Sequence, residues 1–189
     1  MWRDFMQLYL ISGKIKTGKD TCGKFLQEEY QKIGKTSCIL PMSGPLREYA
    51  KNYFGWDGRD ETKPRELLQQ LGTEVIREKL HKDTFLINRA IEDIEILSLY
   101  FDVIIVTGIR RKEEIDSLKT KFPGAINIHM IRSLDYSDLS DASKNHYTEH
   151  ALDAYQNYDY CMKNLSLEEL RSKIEQIVKE RGSDNEKND

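Results

Sequence analysis

The sequence predicts an α/β fold: a parallel sheet with helices on both faces, in three layers. Three observations lead there. Short extended apolar segments alternate with amphipathic helical ones along almost the whole chain, and that alternation builds parallel sheets. The segment Val103–Val106 is four consecutive β-branched residues, the pattern of a strand buried on both faces. The first strand candidate runs straight into a glycine-rich turn that opens a helix.

Taken in order, residues 5–11 (FMQLYLI) form the first strand, and residues 19–34 form a helix with Phe25, Leu26 and Tyr30 on one face and Gly34 as its stop. Residues 37–42 are a second strand, which ends in the turn-forming Ser43-Gly44-Pro45. A helix over 46–55 stops at Gly55, and Pro64 marks the entry to an amphipathic helix over 64–80. Gly72 interrupts that helix. A mid-helix glycine costs about 1 kcal/mol relative to alanine, so the position calls for a break or for a bare backbone. Residues 84–100 read as a helix, 102–108 as the clearest strand, 112–122 as a helix ended near Pro123-Gly124, and 125–132 as a strand. A polar, irregular stretch follows, expected as a short lid over about 133–149. The last strand spans 158–164, and the last helix spans 166–180, opened by a capping box of Ser166 and Glu169. Residues 1–179 therefore read as one domain. Residues 180–189, charged and without large apolar side chains, read as a disordered tail.

Composition narrows the function classes. The net charge is −3 over 189 residues, which offers no general basic surface for a nucleic acid polymer. Cationic groups that matter must then act locally. No apolar run is long enough for a membrane span, and the N-terminal one is too short for a signal peptide. Three cysteines, Cys22, Cys38 and Cys161, match no metal-binding spacing and read as reduced thiols of a cytoplasmic protein.

In a parallel sheet wrapped by helices, ligands bind beyond the C-terminal strand ends. The first end carries Gly13-Lys14-Ile15-Lys16-Thr17-Gly18-Lys19-Asp20-Thr21. Two glycines five residues apart let successive backbone amides turn towards one anion, and the following helix adds its positive end. Lys19 then reaches the outer phosphates of a nucleotide. A plain glycine-rich turn would not explain why Lys14, Lys16 and Lys19 crowd it. Asp20 stands where such loops usually carry the magnesium-binding hydroxyl. Either the Asp20 carboxylate or the Thr21 hydroxyl is the expected magnesium ligand; Asp20 is also a favourable acid for a first helical turn.

The other strand ends carry arginines: Arg47 after the second, Arg110 after the central one, and Arg132 after the next. Arg65, Gln69 and Gly72, with Thr73 beside them, fall at i, i+4 and i+7 on one helix face. Such a face suits a flat polar ligand carrying phosphate, and Arg110 can grip that phosphate through two parallel bonds. Arg77, taken alone, reads as part of a solvated face, and Arg111 as a solvent-facing neighbour of Arg110. Several arginines at successive strand mouths in a chain of net charge −3 point to an anionic site.

These blocks, in this order, resemble the phage-type deoxynucleoside monophosphate kinases and their relatives. The resemblance rests on SGKIKTGKDT, SGPLRE, RELLQQLGTEVIRE with KDTFLINRA, VTGIR, and NHYTEHALDAYQNYDYCMKNLSLEEL. It covers the chain from Leu8 to about Lys179. The loop and SGPLRE are shared with animal-type phosphomevalonate kinases; the ELLQQLGTE block favours the nucleotide branch. The resemblance implies a P-loop nucleoside monophosphate kinase-like fold, ATP as donor with Mg2+, a (deoxy)nucleoside monophosphate as acceptor, and a possible homodimer. It implies donor binding by Gly13, Lys14, Lys16, Thr17, Gly18, Lys19, Asp20 and Thr21, acceptor binding by Arg47, Arg65, Gln69 (or Gln70), Gly72, Thr73 and Arg110, and transfer assisted by Lys19, Arg110 and Arg132. A phosphomevalonate kinase-like activity and a non-catalytic nucleotide-binding module are the alternatives. One departure stands out. The family usually carries an Asp two residues before the strand-end arginine, and this chain has Gly108 there.

Overall fold

The computed structural model of the chain describes residues 6–132, 150–163 and 165–185. The expected lid over 133–149 lies outside the described residues. Twelve segments follow in order: β1 (Gln7–Gly13), α1 (Lys19–Lys32), β2 (Ser37–Pro41), α2 (Gly44–Phe54), α3 (Arg65–Gln70) with a continuation over Leu71–Lys79, α4 (Phe85–Leu97), β3 (Val103–Ile109), α5 (Lys112–Lys121), β4 (Ile126–Ile131), β5 (Tyr160–Lys163) and α6 (Leu167–Asn185). The strands form one sheet in the order β2-β3-β1-β4-β5, and every pairing is parallel.

Strand side chains alternate between faces, and the core divides accordingly. Leu8, Leu10, Ile104 and Val106 pack beneath helices α2 to α5, through residues such as Leu46, Ile76, Ile94 and Leu118. Tyr9, Ile11, Val103, Ile105 and Ile128 pack against α1 and α6, through Leu26, Tyr30, Ile174 and Ile177. The expected α/β/α arrangement is therefore the one adopted. All five C-terminal strand ends lie along one edge because the strands are parallel.

The expected stops and caps appear where sequence chemistry puts them. Gly34 and Gly55 adopt left-handed φ values of 74° and 72° at the ends of α1 and α2. Ser166 and Glu169 form the reciprocal capping box, with bonds of 2.8 and 3.2 Å. Two features differ from expectation. Helix α6 runs to Asn185, into the stretch read as a tail. The Arg181 carbonyl accepts a bond from Gln7 Nε2 at 3.1 Å, and Lys179–Glu175 and Gln176–Glu180 pairs line the last turns, so local pairing and one anchor to β1 extend the helix. The helix expected over 64–80 is α-helical only to Gln70; Leu71–Lys79 is wound as a π-helix. Gly72 lies at the start of that change. A Cβ there would sit 3.0 Å from Leu46 Cδ1 of α2, so the bare backbone permits close approach of the two helices.

Candidate active site

Between β1 and α1 the chain turns tightly against the end of β4. Gly13 has φ 140°, and a Cβ on it would lie 2.4 Å from the Met130 carbonyl oxygen. Lys16 and Gly18 also take positive φ, 59° and 93°, so three of six consecutive residues leave the usual regions and turn the loop inward. Thr17 Oγ1 donates to the Lys14 carbonyl at 2.9 Å. The Lys19 ammonium donates to the same carbonyl. Lys19 is thus folded back over the loop and only 7% exposed. Burial lowers its pKa to about 7; Arg110 and Lys63 push in the same direction, and Asp20 opposes them.

The loop opens into a cavity of about 550 Å³. It brings together Lys16, Thr17, Gly18, Lys19, Asp20 and Thr21 from the loop, Arg47 from α2, Arg65, Gln69, Gly72 and Thr73 from the α3 segment, and Arg110 and Arg132 from strand ends. Of the expected site residues Gly13 and Lys14 lie outside its lining, as does Gln70, the alternative to Gln69. Gly13 lies against β4, and Lys14 faces a neighbouring cavity and pairs with Asp153 at 2.7 Å. Arg47 Nε donates to Ser43 Oγ at 3.3 Å. Arg132 is exposed and lines both cavities, at the mouth between them. The winding of Leu71–Lys79 turns Gly72 and Thr73 inward, both buried; π-helical turns often occur at functional sites.

Four cavity residues escaped the sequence reading: Asp60, Lys63, Arg77 and Glu114. Glu114 is 3% exposed. Its Oε2 accepts the backbone N–H of Arg110 at 3.0 Å and of Arg111 at 3.2 Å, and its Oε1 pairs with Arg77 at 3.3 Å. Burial raises the Glu114 pKa, while these donors and Arg77 act against that shift. Burial likewise lowers the pKa of Arg110, opposed by Glu114 and Asp20, yet a guanidinium stays charged. Arg77 does not face solvent: its side chain is 11% exposed. Nor does Arg111, at 16% and 3.3 Å from Glu113. An acid at the third position of a helix start was the available signal for Glu114; Lys63 and Asp60 carried none, being ordinary polar loop residues.

The neighbouring cavity, about 420 Å³, lies between the loop and the ends of β4 and β5. His129 stacks on Tyr158 at 4.2 Å, nearly parallel at 16°, and its Nδ1 lies 3.0 Å from Ser12 Oγ. Burial lowers the His129 pKa to about 4, with the Lys19 charge adding to the effect, so the ring is neutral at physiological pH.

The sequence profile of the deoxynucleotide monophosphate kinases matches residues 49–174, the greater part of this chain. The chain belongs to the deoxynucleotide monophosphate kinase family. Within that family it is 26% identical over 166 residues to a curated deoxynucleotide monophosphate kinase of Escherichia phage RB69, covering 82% of this chain and spanning 63% of that protein's length. Solved structures show the same fold. APS kinase from Mycobacterium tuberculosis, solved with AMPPNP and APS, is 12% identical with a TM-score of 0.55, covering 92% of this chain and 98% of that one. Shikimate kinase from Acinetobacter baumannii, solved with shikimate, is 14% identical with a TM-score of 0.52, covering 96% and 95%. The family match includes Arg65 to Thr73, Arg110, Glu114 and Arg132, and begins after the phosphate loop.

The strand-end position held by Gly108 has an unusual backbone. Pairing of β1 with β3 runs from Ile11↔Thr107 to Ser12↔Ile109, so Gly108 is the extra residue of a bulge, at φ 80°. A side chain there would meet nothing within 4 Å; backbone conformation, not space, favours glycine. No helix among the described residues is long and apolar enough to cross a membrane.

Proposed function

We propose that the chain transfers the terminal phosphoryl group of ATP to a (deoxy)nucleoside monophosphate, giving the diphosphate. One observation carries the reading. The 550 Å³ cavity is lined by eight lysines and arginines against three carboxylates, in a chain of net charge −3. Such a concentration of positive charge suits the meeting of two polyanions, whose repulsion is the main obstacle to transfer.

The donor phosphates sit on Gly13 to Thr21, with Lys19 on the outer phosphates. The donor nucleoside extends towards the smaller cavity, where His129, Tyr155 and Tyr158 offer aromatic surface. The acceptor monophosphate lies between Arg47, Arg65, Gln69, Gly72, Thr73 and Arg110. Its phosphate is already ionised, so no strong general base is needed. Lys19, Arg110 and Arg132 neutralise charge on the transferring group. Magnesium is commonly held by one or two protein oxygens together with phosphates. Asp20 and Thr21 are the oxygen donors beside the loop that would hold it, and it would supply further neutralisation of phosphate charge. The three free thiols support a reducing, cytoplasmic setting.

The test is a coupled ADP-release screen over all ribo- and deoxyribonucleoside monophosphates, with phosphomevalonate included. Turnover with at least one nucleoside monophosphate is expected. Turnover with phosphomevalonate alone would overturn the nucleotide reading, and tight ATP binding without transfer to any acceptor would make the chain a binding module.

A further inference from the structure

Lys63 lies in the segment between α2 and α3. The structure pins that segment closely. Trp56 N–H donates to the Ala50 carbonyl at 3.1 Å. Trp56 Nε1 donates to the Arg59 carbonyl at 3.1 Å. Asp57 accepts from the Arg59 backbone N–H at 3.0 Å and from the Thr62 hydroxyl. On its far side the Lys63 carbonyl accepts from Arg65 N–H at 2.9 Å, at the entry to α3.

A loop so held presents Lys63 inward. Its side chain is only 15% exposed and lines the cationic cavity. Among the described residues its one carboxylate partner is Asp60, at 3.8 Å, longer than a hydrogen bond. A covered ammonium in that position retains donors for an anion. Its electrostatic neighbours come from both halves of the site: Asp20 on the phosphate loop, and Arg47 and Arg65 on the acceptor side. Lys19 senses it in turn. It therefore shares one cavity with the phosphate loop and with the acceptor-side arginines.

We propose that Lys63 is a further catalytic residue, whose ammonium contacts the phosphoryl group in flight. The proposal rests on the phosphotransfer reading above. In the step, an acceptor phosphate oxygen forms a bond to the γ-phosphorus. The bond from that phosphorus to the β,γ-bridging oxygen breaks, and its electron pair leaves with ADP. Charge on the three equatorial oxygens is shared between Lys19 and Lys63, which line the same cavity. A contact made chiefly in the transition state raises kcat and leaves ground-state binding nearly unchanged.

The experiment compares wild type, Lys63→Met and Lys63→Arg by three readouts. These are transfer to the acceptor panel, acceptor-free hydrolysis of ATP, and binding of a non-hydrolysable ATP analogue, with thermal melting alongside. Lys63→Met is expected to lower kcat about ten- to a hundredfold, the worth of one hydrogen bond to a charged group. Hydrolysis should fall by a similar factor, analogue affinity should stay within about twofold, and Lys63→Arg should recover part of the loss. Unchanged rates, or a change confined to the acceptor KM, would overturn the proposal. Loss of analogue binding together with a large fall in melting temperature would overturn it too, in favour of a structural role. If wild type transfers to no monophosphate, hydrolysis still decides: a fall in Lys63→Met upholds Lys63 and discards the nucleotide acceptor.

Discussion

Docking of a triphosphate on the loop should take up a proton, and Lys19 sets how much. In the empty site its pKa is about 7, so at pH 8 only about one ammonium in ten is charged. Phosphate oxygens favour the charged form and move the group back towards its ordinary value of about 10.4. Binding of a non-hydrolysable triphosphate at pH 8 should therefore take up about 0.9 proton, and affinity should fall about tenfold per pH unit between pH 8 and 9. Calorimetry in two buffers of different ionisation enthalpy reads the uptake directly. Lys19→Met should abolish the uptake and flatten the pH dependence, with the fold retained. Uptake below about 0.2 proton in wild type, or the same slope in Lys19→Met, would refute the reasoning. Stability follows the same sign. The folded pKa lies below the unfolded one, so the unfolded chain binds more protons above about pH 7. This group's contribution to stability then rises from about pH 7 towards about pH 10, and urea titrations of the empty protein should show that rise, absent in Lys19→Met.

Arg110→Ala and Arg65→Ala should raise the acceptor KM roughly ten- to a hundredfold and leave binding of a triphosphate analogue nearly unchanged; collapse of donor affinity with an intact acceptor KM would show that the subsites are reversed. Arg110→Lys should restore little, because an ammonium lacks the paired fork. Glu114→Ala removes the carboxylate from Arg77 and the acceptor from two backbone N–H groups; it should cost about 3–5 kcal/mol by urea unfolding, and a loss below about 1 kcal/mol would show that solvent replaces it. Gly13→Ala meets the Met130 carbonyl 2.4 Å away and should lower the melting temperature much more than Gly18→Ala, whose nearest neighbour is the flexible end of Met130 at 3.9 Å; equal shifts would refute the close approach of loop and β4.

Local chemistry made much of the fold legible. The β-branched run of Val103–Val106, the left-handed stops at Gly34 and Gly55, and the Ser166–Glu169 box each report on a few neighbouring residues, so sequence spacing carries them. The phosphate loop was legible for the same reason, since its chemistry lies within nine consecutive residues. Arg65, Gln69 and Gly72 were legible as a face because helical periodicity joins them.

What stayed hidden needed contacts between distant segments. The π-winding over Leu71–Lys79 and the close approach of Leu46, on another helix, to Gly72 are visible only once the helices are packed. Gly108 reads as a missing carboxylate in sequence and as a bulge once β1 and β3 are paired. Glu114 and Arg77 lie 37 residues apart, and either alone looks like a solvated charge until burial forces them together. Lys63 differs from any loop lysine only because its loop turns it into the cavity. The sequence by itself determined the element order, the parallel sheet and the phosphate loop, all products of short-range geometry. The tertiary structure alone decided which charges are buried and which face one another, because desolvation and Coulomb energy depend on distance through space rather than along the chain.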